Sequence, residues 1–121
     1  MRAELRGLDS DDALAGLESF RPEDADVFAL AVGASIGPSE GPGADLFYFH
    51  VCSPRWIEEN PPPKGFEFMH SYLVLSRWNY ATLLRALTDL CLHTEGEDWE
   101  QIAMKLSRYG AWEFEDYREE T

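Results

Sequence analysis

The three histidines and two cysteines are the residues of this 121-residue sequence with the most obvious capacity for metal binding or nucleophilic chemistry. They occur as His50-x-Cys52, as Cys91-x-His93 and as the isolated His70. Zinc accepts imidazole and thiolate ligands, and a Cys–His pair is the core of many thiol enzymes. However, two helical residues spaced like 91 and 93 point about 200° apart, and this spacing is unlike the C-x-x-C pattern of structural zinc sites. We therefore predict no metal, no cofactor and no catalytic residue.

The known catalytic motifs are also missing from the sequence. No G-x-S-x-G, G-x-x-x-x-G-K-[ST] or H-E-x-x-H occurs, and the glycines between positions 33 and 43 do not form G-x-G-x-x-G. These observations favour a protein that is not an enzyme. One alternative stays open, namely a small cytoplasmic enzyme or ligand-binding α+β domain with a pocket near His50, Cys52 and His70.

The sequence is strongly acidic, with 23 Asp and Glu against 10 Lys and Arg, and its formal net charge is −13. A protein that binds nucleic acid needs a basic surface to displace counterions from phosphates, and docking on anionic lipid has the same requirement. We therefore expect no nucleic-acid partner and no membrane partner. The sequence has neither a run of ~20 apolar residues nor a hydrophobic leader, and its two cysteines lie in apolar patterns. We expect two buried free thiols and a cytoplasmic protein.

The acidic residues are concentrated at the two ends of the sequence. Residues 1–26 have a net charge of −5, and residues 95–121 carry nine acids against three basic residues. Near the C-terminus the acids alternate with aromatic residues, which suits a surface that meets a basic partner. Trp56, which also lies beside acids, is a further candidate anchor. We predict that the partner-binding residues are Glu95, Glu97, Asp98, Trp112, Glu113, Glu115 and Asp116.

Hydrophobic periodicity predicts the order of the secondary-structure elements. Alternation of apolar residues indicates strands, and the small residues on one parity of 27–36 indicate a sheet that is covered on one side. The predicted strands are 2–8, 27–36, 46–52 and 66–76, and the predicted helices are 55–59, 79–93 and 97–108. Strands come first and the longer helices last. This order predicts one α+β domain over residues 1–121, with a four-stranded, mostly antiparallel meander and two C-terminal helices packed on one face.

The C-terminal pattern resembles one known family, the immunity proteins numbered eight in bacterial polymorphic toxin systems. The resemblance is carried by Trp99-Glu100-x-Ile102-Ala103-x-Lys105-Leu106-Ser107-Arg108, by Gly110-x-Trp112-Glu113-Phe114-Glu115-Asp116-Tyr117, by Met1-Arg2-Ala3-Glu4-Leu5 and by Val51-Cys52-Ser53-Pro54-x-Trp56-Ile57. It implies a cytoplasmic antitoxin that binds a cognate toxin domain and blocks it without catalysis. Because a nuclease needs a basic groove to hold phosphate, a nuclease is the toxin class that an acidic protein would suit best.

Overall fold

The computed structural model describes residues 1–114, and in that part of the chain the elements are a mixed β-sheet and three helices. In chain order they are β1 (Ala3–Asp9), β2 (Ala29–Pro38), β3 (Asp45–Cys52), α1 (Pro54–Glu59), β4 (Tyr72–Val74), α2 (Tyr80–Leu92), α3 (Trp99–Leu106) and β5 (Ala111–Trp112). The predicted α+β fold class is confirmed. Glu115 and Asp116, which were predicted to bind the partner, lie outside the described residues.

Strands β1, β2 and β3 pair in sequence order and antiparallel, as the alternating pattern predicted. Six bulky residues of β2 and β3 lie on one face of the sheet and are buried in the hydrophobic core, namely Leu30, Val32, Ile36, Phe47, Phe49 and Val51. Strand β3 is central in the sheet, because β2 pairs with one of its edges and β4 and β5 both pair with the other.

The last predicted strand differs from the structure in length and direction. We expected an antiparallel strand over 66–76, whereas β4 contains only three residues and runs parallel to β3. The reason lies in the connection: α1 and the proline-rich segment that follows it carry the chain back along the sheet, and such a crossover joins parallel strands. Ser53 caps α1, since its Oγ accepts a hydrogen bond from the Trp56 amide at 3.3 Å.

The two C-terminal helices place their apolar faces in the same core as β2 and β3. Asn79 caps α2 by accepting a hydrogen bond from the Thr82 amide. The buried side chains are Leu83, Leu87 and Cys91 in α2, and Ile102, Ala103 and Leu106 in α3. The opposite face of the sheet is therefore left without a covering helix in the described chain. Within residues 1–114, no helix has the length and apolar content that crossing a membrane requires.

Candidate functional site: the open face of the sheet

The sheet face opposite the core carries aromatic side chains above small residues. Ala31 lies opposite His50, Gly33 lies opposite Tyr48, and Tyr72 of β4 lies on the other side of His50. Ala31, Tyr48 and His50 are exposed, and the His50 and Tyr72 rings are 5.0 Å apart between centroids. We call this set of five residues the open face. Its small residues leave a flat floor from which the aromatic rings project.

A turn of acidic residues borders the open face at the end of β1. Ser10 Oγ donates a hydrogen bond to the Ala31 carbonyl, and Asp12 Oδ2 accepts one from the Ala31 amide at 2.9 Å. These bonds fasten the turn to β2. A Cβ placed on Gly33 would come within 2.8 Å of Asp9 Oδ1, so that carboxylate lies directly above the glycine. The turn also borders a shallow cavity of about 450 Å³ that includes Tyr48.

On the other side, a smaller cavity of about 210 Å³ lies between the open face and α1. Its lining includes His50, Cys52, Trp56 and Tyr72. Burial, followed by the charges of Glu67 and Cys52, raises the pKa of the Tyr72 hydroxyl above its ordinary value. Glu67 therefore adds negative charge at this end of the open face. Trp56 is half-buried here, so the indole that the sequence offered as a possible anchor does lie beside the open face.

Two of the predicted C-terminal residues, Asp98 and Trp112, make contacts that stabilise the fold. Asp98 caps α3 by accepting a hydrogen bond from the Gln101 amide at 2.9 Å. Trp112 Nε1 donates to Asp45 Oδ2 at 3.1 Å, and the indole stacks on Phe47. These contacts account for the positions of Asp98 and Trp112 without a partner.

The remaining described acids of the C-terminal set are exposed. Glu95 forms an ion pair with Arg2 at 3.7 Å, and Glu97 is exposed in the turn before α3. Glu113 accepts a hydrogen bond from the Leu46 amide at 2.9 Å, and its own amide donates to the Leu46 carbonyl. Because Ala111 pairs with Tyr48, this hydrogen-bonded segment brings Glu113 to the edge of the open face.

The residues considered for metal binding and nucleophilic chemistry are dispersed. Across residues 1–114, no group of three or more His, Cys, Asp or Glu side chains is arranged to hold a metal ion. Both cysteines are free and buried, as predicted. Burial raises the pKa of the Cys52 thiol and raises that of Cys91 to about 11. Because the thiolate is the nucleophile, both cysteines are poorly suited to catalysis at neutral pH.

The pocket proposed as the alternative site is not formed as one cavity. His50 and Cys52 border the small cavity beside α1, whereas His70 borders a separate cavity of about 470 Å³. The larger cavity also contains His93, Arg108 and Tyr109, and Phe49 contributes to its lining. His70 Nε2 is 2.9 Å from the Ser107 carbonyl oxygen, so that ring is positioned by α3.

Sequence reasoning missed Tyr48, Tyr72 and the turn at Asp9 as parts of one surface. The small residues of β2 did indicate that one side of the sheet is uncovered. The position of Tyr72 was hidden because it depends on the parallel pairing of β4 with β3. Similarly, the turn is brought over β2 by the hydrogen bonds of Ser10 and Asp12, which connect residues about 20 positions apart in sequence.

Within residues 1–114, the α+β domain has no helix over this sheet face, and its exposed aromatic rings are bordered by carboxylates. Exposed aromatic side chains of this kind are enriched where proteins bind other proteins. The sequence matches the family Immunity protein 8 over residues 3–117, nearly the whole chain, and the protein belongs to that family. Membership confirms the resemblance seen in the sequence and implies an immunity protein that acts against a toxin. Comparisons with curated proteins and with solved structures found no match.

Proposed function

We propose that this protein binds a cognate secreted toxin domain in the cytoplasm and neutralises it without catalysing a reaction. The observation that carries the proposal is the family match over residues 3–117. The raised pKa values of the two buried thiols support a non-catalytic role, because they favour the unreactive protonated form. In this proposal, the protein covers the active site or the substrate groove of the toxin.

The toxin class that we propose is a nuclease, because its substrate groove must be basic. The net charge of −13 gives long-range attraction to such a groove and speeds association. Once bound, the domain would exclude nucleic acid both by its volume and by placing carboxylates where phosphates would lie. Inhibition is then steric and electrostatic, and it requires no change in the toxin.

The acidic C-terminal set is the first contact surface that we propose. Glu95, Glu97 and Glu113 are exposed and would face the toxin directly. Asp98 and Trp112 would contribute by fixing the positions of α3 and β5, in addition to any direct contact they make with the toxin. Glu115 and Asp116 continue the same acidic stretch of sequence.

Co-expression tests the proposed function. The C-terminal domain of the toxin encoded next to this gene is expressed alone and together with the protein, and growth and complex formation on gel filtration are measured. We expect restored growth and one co-eluting complex. Persistent toxicity with no complex would refute the proposal.

A charge series tests the contact surface and the toxin class. Glu95→Lys, Glu97→Lys and Glu113→Lys should slow association and weaken its dependence on salt, because exposed charges act through a screened field. Glu40→Lys, in the exposed turn after β2, supplies the matched control. Nuclease activity of the isolated toxin domain on DNA and RNA is measured in parallel, and its absence would contradict the nuclease assignment.

A further inference from the structure

We infer that the open face is the surface on which the toxin domain docks, with Tyr48 at the centre and the carboxylates of the Asp9–Asp12 turn against a basic surface of the toxin. This inference rests on the proposed function and goes beyond it by naming the anchor residue and the chemistry of the partner. Interfaces obtain most of their binding free energy from a few central aromatic residues surrounded by polar groups. The open face has that arrangement.

The shape and composition of the open face suit a docking surface. Tyr48 is 47% exposed, although it projects from the central strand of the sheet. On β2, Gly33 lies opposite Tyr48, and Ala31 lies two residues from Gly33 on the same face. Neither residue has a side chain large enough to shield the tyrosine ring. A partner side chain can therefore pack directly on Tyr48 and His50. Val74, also exposed, extends the apolar area past Tyr72 on β4.

Carboxylates border the open face and complement a basic partner. Asp9, Asp11 and Asp12 line the cavity beside Tyr48, and Glu67 acts on Tyr72 at the other end. Among the described residues, neither cavity on the open face is lined by a lysine or an arginine. A basic partner surface would thus meet carboxylates without meeting a cation in these cavities. An acidic partner would be repelled by the same groups.

A cavity of about 470 Å³ lies on the helix side of the sheet, beside α2, and we call it the opposite cavity; it shares only Tyr72 with the open face. Its lining includes Arg108 as well as His70 and His93. Because Asp89 and Arg108 both line it, this cavity lacks the uniformly negative border that the Asp9–Asp12 turn gives to the open face. The open face is therefore the better match to the partner that the net charge favours.

The acidic turn is already held in place by hydrogen bonds to β2. Asp12 and Ser10 bond to both backbone groups of Ala31, which fixes the position of Asp9 and Asp11 before binding. Preorganised groups lose less conformational entropy when a partner binds. Glu113 lies at the β5 edge of the same face, so the open face is continuous with part of the acidic C-terminal surface.

A matched pair of tyrosine variants tests the position of the interface. Tyr48→Ala removes the proposed anchor, and Tyr109→Ala removes a tyrosine of similar exposure, 57%, that borders the opposite cavity. Binding to the toxin's C-terminal domain is measured by calorimetry, and circular dichroism and thermal melting establish that both variants fold. We expect Tyr48→Ala to weaken binding by about tenfold or more, and Tyr109→Ala to bind like the wild type.

A second pair tests the charge complementarity with an equal change of net charge. Asp11→Lys places a cation in the acidic turn, and Asp89→Lys places one beside the opposite cavity. Asp11→Lys should lower the association rate and flatten its salt dependence much more than Asp89→Lys. Because both substitutions keep the side chain on the surface, this pair does not depend on the core.

The outcomes separate the two proposals. Wild-type binding that is lost in Tyr109→Ala or Asp89→Lys, and kept in Tyr48→Ala and Asp11→Lys, overturns the docking surface and leaves the proposed function intact. Equal effects within each pair also overturn it. A wild-type protein that neither binds nor protects against the toxin domain overturns the proposed function together with the docking surface.

Discussion

Asp45 joins three parts of the fold through one carboxylate oxygen, and its removal should destabilise the domain. Asp45 Oδ2, at the start of β3, accepts hydrogen bonds from Trp99 Nε1 of α3 at 2.8 Å and from Trp112 Nε1 of β5 at 3.1 Å. Phe47 packs between the same indoles, edge-on to Trp99 and stacked with Trp112. One substitution therefore leaves two indole N–H groups without their acceptor.

The expected loss of unfolding free energy follows from the number and kind of hydrogen bonds that the substitution removes. A hydrogen bond to a charged group contributes roughly 1.5–3 kcal/mol when buried. Asp45, Trp99 and Trp112 are all half-buried, so water compensates part of the loss. We expect Asp45→Ala to lower the free energy of unfolding by about 2–4 kcal/mol, and the melting temperature by roughly 8–16 °C at this chain length. Asp45→Asn keeps a neutral acceptor and should cost only about 1 kcal/mol.

Urea unfolding followed by tryptophan fluorescence measures this effect, because two of the affected groups are the fluorophores themselves. Asp11→Ala, at an exposed aspartate in the turn after β1, is the control for loss of one surface charge. The reasoning is refuted if Asp45→Ala unfolds at the same urea concentration as the wild type. It is also refuted if Asp45→Asn is as unstable as Asp45→Ala, since the amide oxygen can still accept.

Three other substitutions test single contacts of the fold by urea unfolding and titration. Gly110→Ala should destabilise by about 1–3 kcal/mol, because its Cβ would lie 2.5 Å from Cζ of the buried Phe49 ring; unchanged stability would contradict that close approach. Ser53→Ala should cost about 1–2 kcal/mol, since its buried Oγ accepts from backbone amides of α1 and of the segment before β2, and Ser76→Ala at an exposed serine is the control. The pKa of Cys91 is raised from 9.0 to about 11, so the unfolded state loses this proton first. The contribution of Cys91 to the free energy of unfolding is then constant below pH 9 and falls by roughly 1.4 kcal/mol per pH unit between pH 9 and 11. Cys91→Ala should make the free energy of unfolding fall less steeply over this range. An equally steep fall in the variant would contradict the raised pKa of Cys91.

Local sequence patterns were sufficient for the elements that depend on near neighbours. The parity of apolar residues in β2 and β3 reflects which side chains enter the core, and this depends only on the two-residue repeat of a strand. Ser53 and Asn79 could be identified as helix caps because a cap bonds to an amide three residues away. The two buried free thiols were predictable from their apolar surroundings for the same reason.

The candidate site was less accessible to sequence reasoning because long-range pairing assembles it. Glu113 was identified from its charge, and the structure adds that it bonds to Leu46, 67 positions away. Asp98 and Trp112 were identified from composition, which does not distinguish an exposed acid or indole from one that caps a helix or packs on a ring.

The amino-acid sequence was sufficient to establish the acidic character of the protein, the order and faces of most elements, and the family to which it belongs. Three features could be seen in the folded domain alone: β4 runs parallel to β3, the rings of Tyr48, His50 and Tyr72 share a face that no helix within residues 1–114 covers, and an acidic turn is hydrogen-bonded beside them. The difference lies in the range of the interactions. Helix caps and strand faces depend on residues a few positions apart, whereas strand direction and the grouping of surface side chains depend on how the whole chain returns to the sheet.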